Sequence, residues 1–183
     1  MTERPTSIRL VTPDDAEALA THLARDREAF ATSSPTRTDD YFTTRGQQER
    51  LEGYLAEHAE GRMWPGVVLA GEEIAGLVTV GGIRRGPFLA GSVGYWIGTT
   101  HQGRGHAQRA LGLLLEVMAD ELGLHRAEAM TSAANVASQR VLESQGFHNY
   151  GTTTSSFLIG GVWRDSIMWE RVLQTERGAP GLR

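Results

Sequence analysis

Apolar residues recur at two periods along this chain, and the change from one to the other is sharpest between Ser92 and Leu122. Val93 to Ile97 reads as a strand. Ala107, Ala110, Leu111, Leu114, Met118 and Leu122 then fall at three- and four-residue steps, the apolar face of a long helix. A tight polar loop, Gly98 to Arg104, joins the two, with Gln102-Gly103-Arg104-Gly105-His106-Ala107 at the junction. Gly103 and Gly105 have no Cβ, so the backbone can turn sharply there and come close to a ligand. The N–H groups that follow are the unpaired donors of a helix start, at the positive end of the helix dipole. A pyrophosphate or similar anion fits such a cradle. A glycine-softened strand-to-helix turn that binds nothing has the same local sequence.

The remaining pattern supplies the other elements. Ile8 to Val11 reads as a short strand. Thr12-Pro13-Asp14-Asp15 is a helix start, with Thr12 as N-cap and acids in the first turn; Ala16, Leu19 and Leu23 give that helix its apolar face. From Phe30 to Thr43 the chain is irregular, broken by Ser33-Ser34-Pro35; Phe30, Tyr41 and Phe42 either pin a surface loop or wall a substrate. A helix follows from Thr44 to Glu60, stopped by Gly61. Gly66 to Ala70 and Ile74 to Val80 form a hairpin around Gly71-Glu72-Glu73, and Ile83 to Phe88 is a loop. Ala90 to Ile97 is the strand that enters the cradle. His125 to Thr131 is another strand, and Asn135 opens a helix to about Gln145 with Val136, Val141 and Leu142 facing inward. Gly151 to Ile159 and Val162 to Glu170 pair as a hairpin around Gly160-Gly161, and residues 175–183 read as a tail after a domain spanning 1–174. This order predicts one α/β (α+β) domain: a mixed, mainly antiparallel sheet with helices on its faces.

Composition narrows the chemistry. Cysteine is absent, which removes disulfides, thiolate metal sites and a cysteine acyl-enzyme. The 18 basic residues are all arginine, so a Schiff-base lysine is excluded as well. The net charge is −4 and no basic run occurs, which argues against nucleic acid as a partner. Six histidines are scattered without ligand spacing, so no metal is expected. Neither a signal-peptide core nor a membrane-length apolar run is present; a cytoplasmic protein without a membrane partner is the expectation.

Four local signatures, in order and on the expected elements, resemble the GNAT superfamily of acyl-CoA-dependent N-acetyltransferases. They are Gly94-Tyr95-Trp96-Ile97; Gln102 to Ala107, which fits Q-x-x-G-x-A; Gly123-Leu124-His125-Arg126-Ala127-Glu128; and Asn135-Val136-Ala137-Ser138 followed by Val141-Leu142-Glu143 and Gly146-Phe147. The likeness runs from about Ile8 to Trp169 and is greatest to the bacterial RimJ/RimL type of ribosomal-protein N-acetyltransferase. The resemblance implies that the strands carrying Tyr95, Trp96 and Ile97 and starting at Arg126 splay apart, with acetyl-CoA as co-substrate in the gap. It places the pyrophosphate on amides of Gly103, Arg104, Gly105, His106 and Ala107, counts Gln102 among the cofactor-binding residues, and adds the Arg104 side chain as a charged contact and Asn135 on the pantetheine arm. Asn135 is equally an N-cap, and one side chain can serve both ways.

Acetyl transfer needs a neutral amine, a polarised carbonyl, aligned reactants and a proton for the leaving thiolate. The resemblance implies a main-chain N–H of the Tyr95–Ile97 strand at the carbonyl. The tyrosine acid of many members is Leu142 here, and the acid of the RimJ/RimL-like branch falls on Ser138, which is otherwise a small helix residue. The glutamate base of many members falls near Ser92, leaving Glu128 as a substitute, or a water chain; Glu128 is otherwise a structural carboxylate paired with an arginine. A missing base favours an α-amine, pKa near ~8, over a lysine-like amine near ~10. The acceptor is then a protein N-terminus or a small-molecule amine. Asp39 and Asp40 either greet a cation or are a solvated loop. The apolar final hairpin offers a face for a homodimer. The alternative, drawn from Ser92 and Leu142, is an acyl-CoA-binding sensor without turnover.

Overall fold

A computed structural model of the chain describes residues 5–31 and 35–173. Among them, seven strands form one sheet: β1 (Thr6–Leu10), β2 (Trp64–Ala70), β3 (Glu73–Arg84), β4 (Ala90–Ile97), β5 (Arg126–Ser132), β6 (His148–Ile159) and β7 (Val162–Val172). Their spatial order is β1-β2-β3-β4-β5-β7-β6, antiparallel throughout except for β4 and β5. The helices are α1 (Ala16–Arg25), the single turn α2 (Arg27–Phe30), α3 (Thr44–Ala59), α4 (His106–Glu116) and α5 (Val136–Ser144).

Strand alternation sends the sheet's side chains into two cores. On one face Val68, Val78, Val80 and Val93 meet Ala110, Leu111, Leu114 and Met118 of the α4 region and Leu142 of α5. On the other, Val67 and Leu77 meet Ala16 and Leu19 of α1 and Leu51 of α3. Each fully buried Leu or Met stabilises by about 1.5–3 kcal/mol, so these faces dominate the energetics. Helix starts follow local capping: the Thr43 hydroxyl accepts from Gly46 N at 3.0 Å, and the Asp15 carboxylate accepts from Thr12 N at 2.8 Å.

Several boundaries differ from the periodicity. The first strand is Thr6–Leu10, because β1 pairs through Leu10 with Gly66 of β2. The expected loop at Ile83 begins two residues later: β3 runs on to Arg84, which pairs with Ala90 across a register shift. The long helix changes winding, with Val117–Glu121 in a π-helical turn. Val136 faces outward at 50 % exposure, because the first turn of α5 lies over the cleft rather than the core. The final hairpin starts at His148 instead of Gly151. The expected tail at 175–183 lies outside the described residues.

β4 lies close over β3 at Gly76, where a Cβ would come within 2.1 Å of the Trp96 carbonyl oxygen. Backbone cannot yield as a flexible side chain can. Gly76→Ala is therefore expected to destabilise the fold by about 2–3 kcal/mol, read as a lower denaturation midpoint; an unchanged midpoint would refute the close approach.

Candidate active site

β4 and β5 pair over only three positions, Ala90 with Arg126, Gly91 with Ala127 and Ser92 with Glu128, and then separate. Beyond that point lies a gap of about 160 Å³, bordered by Gly94, Tyr95, Met130, Thr131, Asn135 and Ser138. It adjoins a larger cleft of about 610 Å³ whose walls include Tyr95, Trp96, Ile97, Gln102, Gly103, Gly105, His106, Ala107, Asn135 and Ser138. The residues marked by the strand and the loop thus come together along one continuous depression. Arg104 does not line it and stands exposed beside the loop.

The loop after β4 is held from several directions. Gly105 is the N-cap of α4 with φ +76°, a left-handed conformation that glycine adopts without strain, and it contributes no capping side chain. Gly103 has φ +72°, and a Cβ there would point into open space. The first amides of α4 therefore face the cleft at the positive end of the helix. Gln102 Nε2 donates to Ile97 O at 2.8 Å, so its side chain braces the loop. His106 Nδ1 meets Thr6 Oγ1 at 2.8 Å, and Arg109 Nε donates to the same hydroxyl at 2.9 Å. The Asp26 carboxylate, its side chain 2 % exposed, accepts from Thr99 N at 2.7 Å, Thr99 Oγ1 at 2.6 Å and Arg25 Nε at 2.8 Å. The Arg25 guanidinium, aided by the Thr99 donors, holds that carboxyl well below the usual aspartate range.

α5 brings Asn135 and Ser138 to the gap. Asn135 Oδ1 caps the helix, accepting from Ser138 N at 3.1 Å, so capping takes only the oxygen of that amide. Ser138 Oγ lies 2.9 Å from Tyr95 Oη, and the phenol also donates to Ser138 O at 3.1 Å. Burial raises the Tyr95 pKa to about 12, against the opposing hydrogen bond from Ser138, so the phenol stays protonated at neutral pH.

Glu128 is not brought to this place. It sits opposite Ser92 at the closed end of the seam, ion-paired with Arg84 and, at 3.3 Å, with Arg126 Nε. Tyr95 lies three residue steps along the strand from Ser92, a span of ~10 Å. His22, His101 and His106, distant in sequence, converge with ring centroids 5.6 and 6.1 Å apart. His101 lines the cleft at 9 % exposure, and burial, with help from His22, lowers its pKa, so it is neutral at pH 7. Its position has no signal in the sequence, because its neighbours come from α1 and from the helix that follows.

A second cavity of about 370 Å³ meets the first at Phe30, Tyr95 and Trp96. Its wall combines arginines with aromatic rings. The Arg27 guanidinium lies 4.4 Å over Phe42, Arg37 4.8 Å over Tyr41, and Arg50 5.0 Å from Tyr41 and 4.7 Å from Tyr54. From this stretch Phe30, Ala31, Pro35, Thr36, Arg37, Tyr41 and Phe42 therefore form a cavity wall. Asp39 turns back onto Arg27 at 2.6 Å.

A sheet with one parallel seam that splays beside a glycine-capped helix N-terminus is the architecture of an acyl-CoA-dependent acetyltransferase. The family model for the acetyltransferase (GNAT) domain matches residues 6–148, and the chain belongs to that family. It is an N-acetyltransferase that uses acetyl-CoA, not a binding module without turnover. The [ribosomal protein uS5]-alanine N-acetyltransferase of Escherichia coli is 31 % identical over 176 residues, covering 95 % of this chain and 90 % of the relative. The solved ribosomal-protein-S5-alanine acetyltransferase of Vibrio fischeri superposes with a TM-score of 0.89 at 29 % identity, covering 97 % and 98 % of the two chains. RimJ of Mycobacterium smegmatis, solved with CoA-disulfide, gives 0.88 at 27 % identity over 91 % and 81 %.

Gly105→Val is expected to weaken CoA binding at least tenfold by calorimetry, since a β-branched residue resists φ near +76°; unchanged affinity would remove the loop from the binding site. Asp26→Asn should lower stability at pH 7 by about 2 kcal/mol. A carboxyl whose pKa is depressed on folding stabilises fully above its unfolded value near ~4, and that stabilisation is lost as pH falls further. The variant should consequently show a shallower loss of stability below pH ~4 than the parent, measured by urea titration at several pH values.

Proposed function

We propose that this chain transfers the acetyl group of acetyl-CoA to the α-amine of a protein N-terminus, with ribosomal proteins as the acceptor class and the bacterial cytoplasm as the setting. The observation that carries this reading is the junction at Phe30, Tyr95 and Trp96, where Tyr95 is hydrogen-bonded to Ser138: two cavities meet there, and no carboxylate lines either one among the described residues. A site without a carboxylate base suits an amine that is already partly neutral. An α-amine, pKa near ~8, meets that demand, whereas an alkyl amine near ~10 is mostly charged at neutral pH. The E. coli relative is named for acting on an alanine of a ribosomal protein. Alanine has no amine other than its α-amine, so the chemistry agrees.

The assigned roles follow from placement. Amides of Gln102 to Ala107 hold the pyrophosphate, and the freed edge of β4 from Tyr95 to Ile97 pairs with the pantetheine amides and offers an N–H to the thioester carbonyl. Asn135 supports the pantetheine arm with its amide nitrogen. The transfer exchanges a C–S bond for a C–N bond; nitrogen loses one proton and sulfur gains one. Ser138 Oγ, joined to the protonated Tyr95 phenol, hydrogen-bonds the departing sulfur. Neither hydroxyl is acidic enough to remain deprotonated beside a thiolate, so the pair relays the proton that nitrogen releases. Holding both substrates in line supplies much of the rate. Glu128 keeps a structural role.

Thiol release from acetyl-CoA with N-terminal peptides, set beside lysine-side-chain and small-molecule amines, tests the assignment. Peptide turnover is expected, with kcat/KM rising about tenfold per pH unit and levelling near pH ~8, the pKa of the acceptor; turnover of small amines alone would overturn it. Ser138→Ala should lower kcat about 100-fold while CoA affinity stays within threefold, and an unchanged kcat would return Ser138 to a plain helix position.

A further inference from the structure

The second cavity is built for negative charge. Arg27, Arg37 and Arg50 line it, and none of its described lining residues is acidic. Among the described residues, only Arg27 has an ion-pair partner there, the exposed Asp39. Arg50 donates to the neutral Gln47 Oε1 at 3.3 Å and to Tyr54 Oη. Arg37 is held by the Tyr41 ring, with no carboxylate within ion-pair distance among the described residues. Resting a guanidinium on an aromatic face fixes its plane while leaving its N–H fork for a bidentate acceptor. The cavity is ligand-sized and opens onto the junction through the T-shaped Phe30–Trp96 pair, whose centroids are 5.8 Å apart.

We propose that this cavity selects acceptor N-termini that carry an acidic side chain within the first few residues, with Arg37 as the principal contact and Arg50 beside it. This rests on the reading of the acceptor as a protein N-terminus. An amine placed at Tyr95 and Ser138 leaves its following residues to run past Phe30 and Trp96. At ~3.3 Å per extended residue, the side chains of positions two to four lie within ~13 Å of the amine, and Arg37 and Arg50 line the same cavity as Tyr95 and Trp96. The recognition is electrostatic and specific to an anion, since the same field repels a basic segment. It also disfavours an ammonium over a neutral amine, which assists a site without a carboxylate base.

The test uses the full chain and peptides that begin with alanine and differ only at positions two to four: acidic, amide or lysine. Acidic peptides should show kcat/KM about tenfold above their amide counterparts, expressed in KM, with the advantage shrinking as salt is raised. Arg37→Gln should bring the acidic-to-amide ratio close to one, and Arg37→Lys should restore part of it. Acetyl-CoA affinity, followed by calorimetry, reports that each variant is folded. Equal turnover of all peptides, preference for lysine peptides, or an acidic preference that survives Arg37→Gln would overturn the inference while leaving the acceptor class standing. Binding of acetyl-CoA with turnover of no peptide at all would instead overturn the acceptor class, and this inference with it.

Discussion

The parallel seam between β4 and β5 closes over three residue pairs and then opens, and the rest of the molecule is arranged to keep it open. A gap inside a sheet is costly, because main-chain N–H and C=O groups lose their ladder partners. It persists here because each strand is held from its other side. β4 pairs with β3 from Ala90 to Ile97, and β5 pairs with β7 along its whole length. Val93, Ile97, Ala127 and Ala129 are anchored in a common core. The exposed strand edge is then a ready partner for an extended chain of amides, which is the chemical character of pantetheine.

Beside the seam, the glycine loop that precedes α4 is set in advance. Asp26 reaches it from the end of α1, Thr6 from β1, and Gln102 and Arg109 from within. These ties come from segments far apart in the chain, so the loop takes its shape only once α1, β1 and α4 are packed. A loop ordered beforehand does not lose conformational entropy on binding, and more of the interaction energy remains as affinity.

The chemical demands are divided between the two faces of the sheet. Tyr95 and Trp96 are neighbours on β4 and point to opposite sides, one toward Ser138 on α5 and the other toward α1 and Phe30. On the proposed function, the thioester donor and the amine approach from different cavities and meet at this strand. The cleft presents few groups for chemistry where the cavities meet: a phenol kept protonated by burial and the serine hydroxyl bonded to it. On the proposed function, such a site relies on alignment and on an acceptor amine that needs little deprotonation.

Much of this was legible locally. The glycine loop, the capping residue Asn135, the alternating strands and the apolar face of α4 are properties of neighbouring residues. Steric freedom and periodicity act over a few positions, so the sequence by itself determined the element order, the mixed sheet and the cradle. It left Glu128 open between base and ion-pair partner. The structure pairs it with Arg84, 44 residues away. The Tyr95–Ser138 hydrogen bond, the His22–His101–His106 cluster and the arginine wall likewise join segments with no common local signal. The outward turn of Val136 depends on a cleft that the periodicity of α5 cannot reveal. Tertiary structure alone decided these, because charge pairing, burial and cavity shape depend on distances through space that spacing along the chain does not encode.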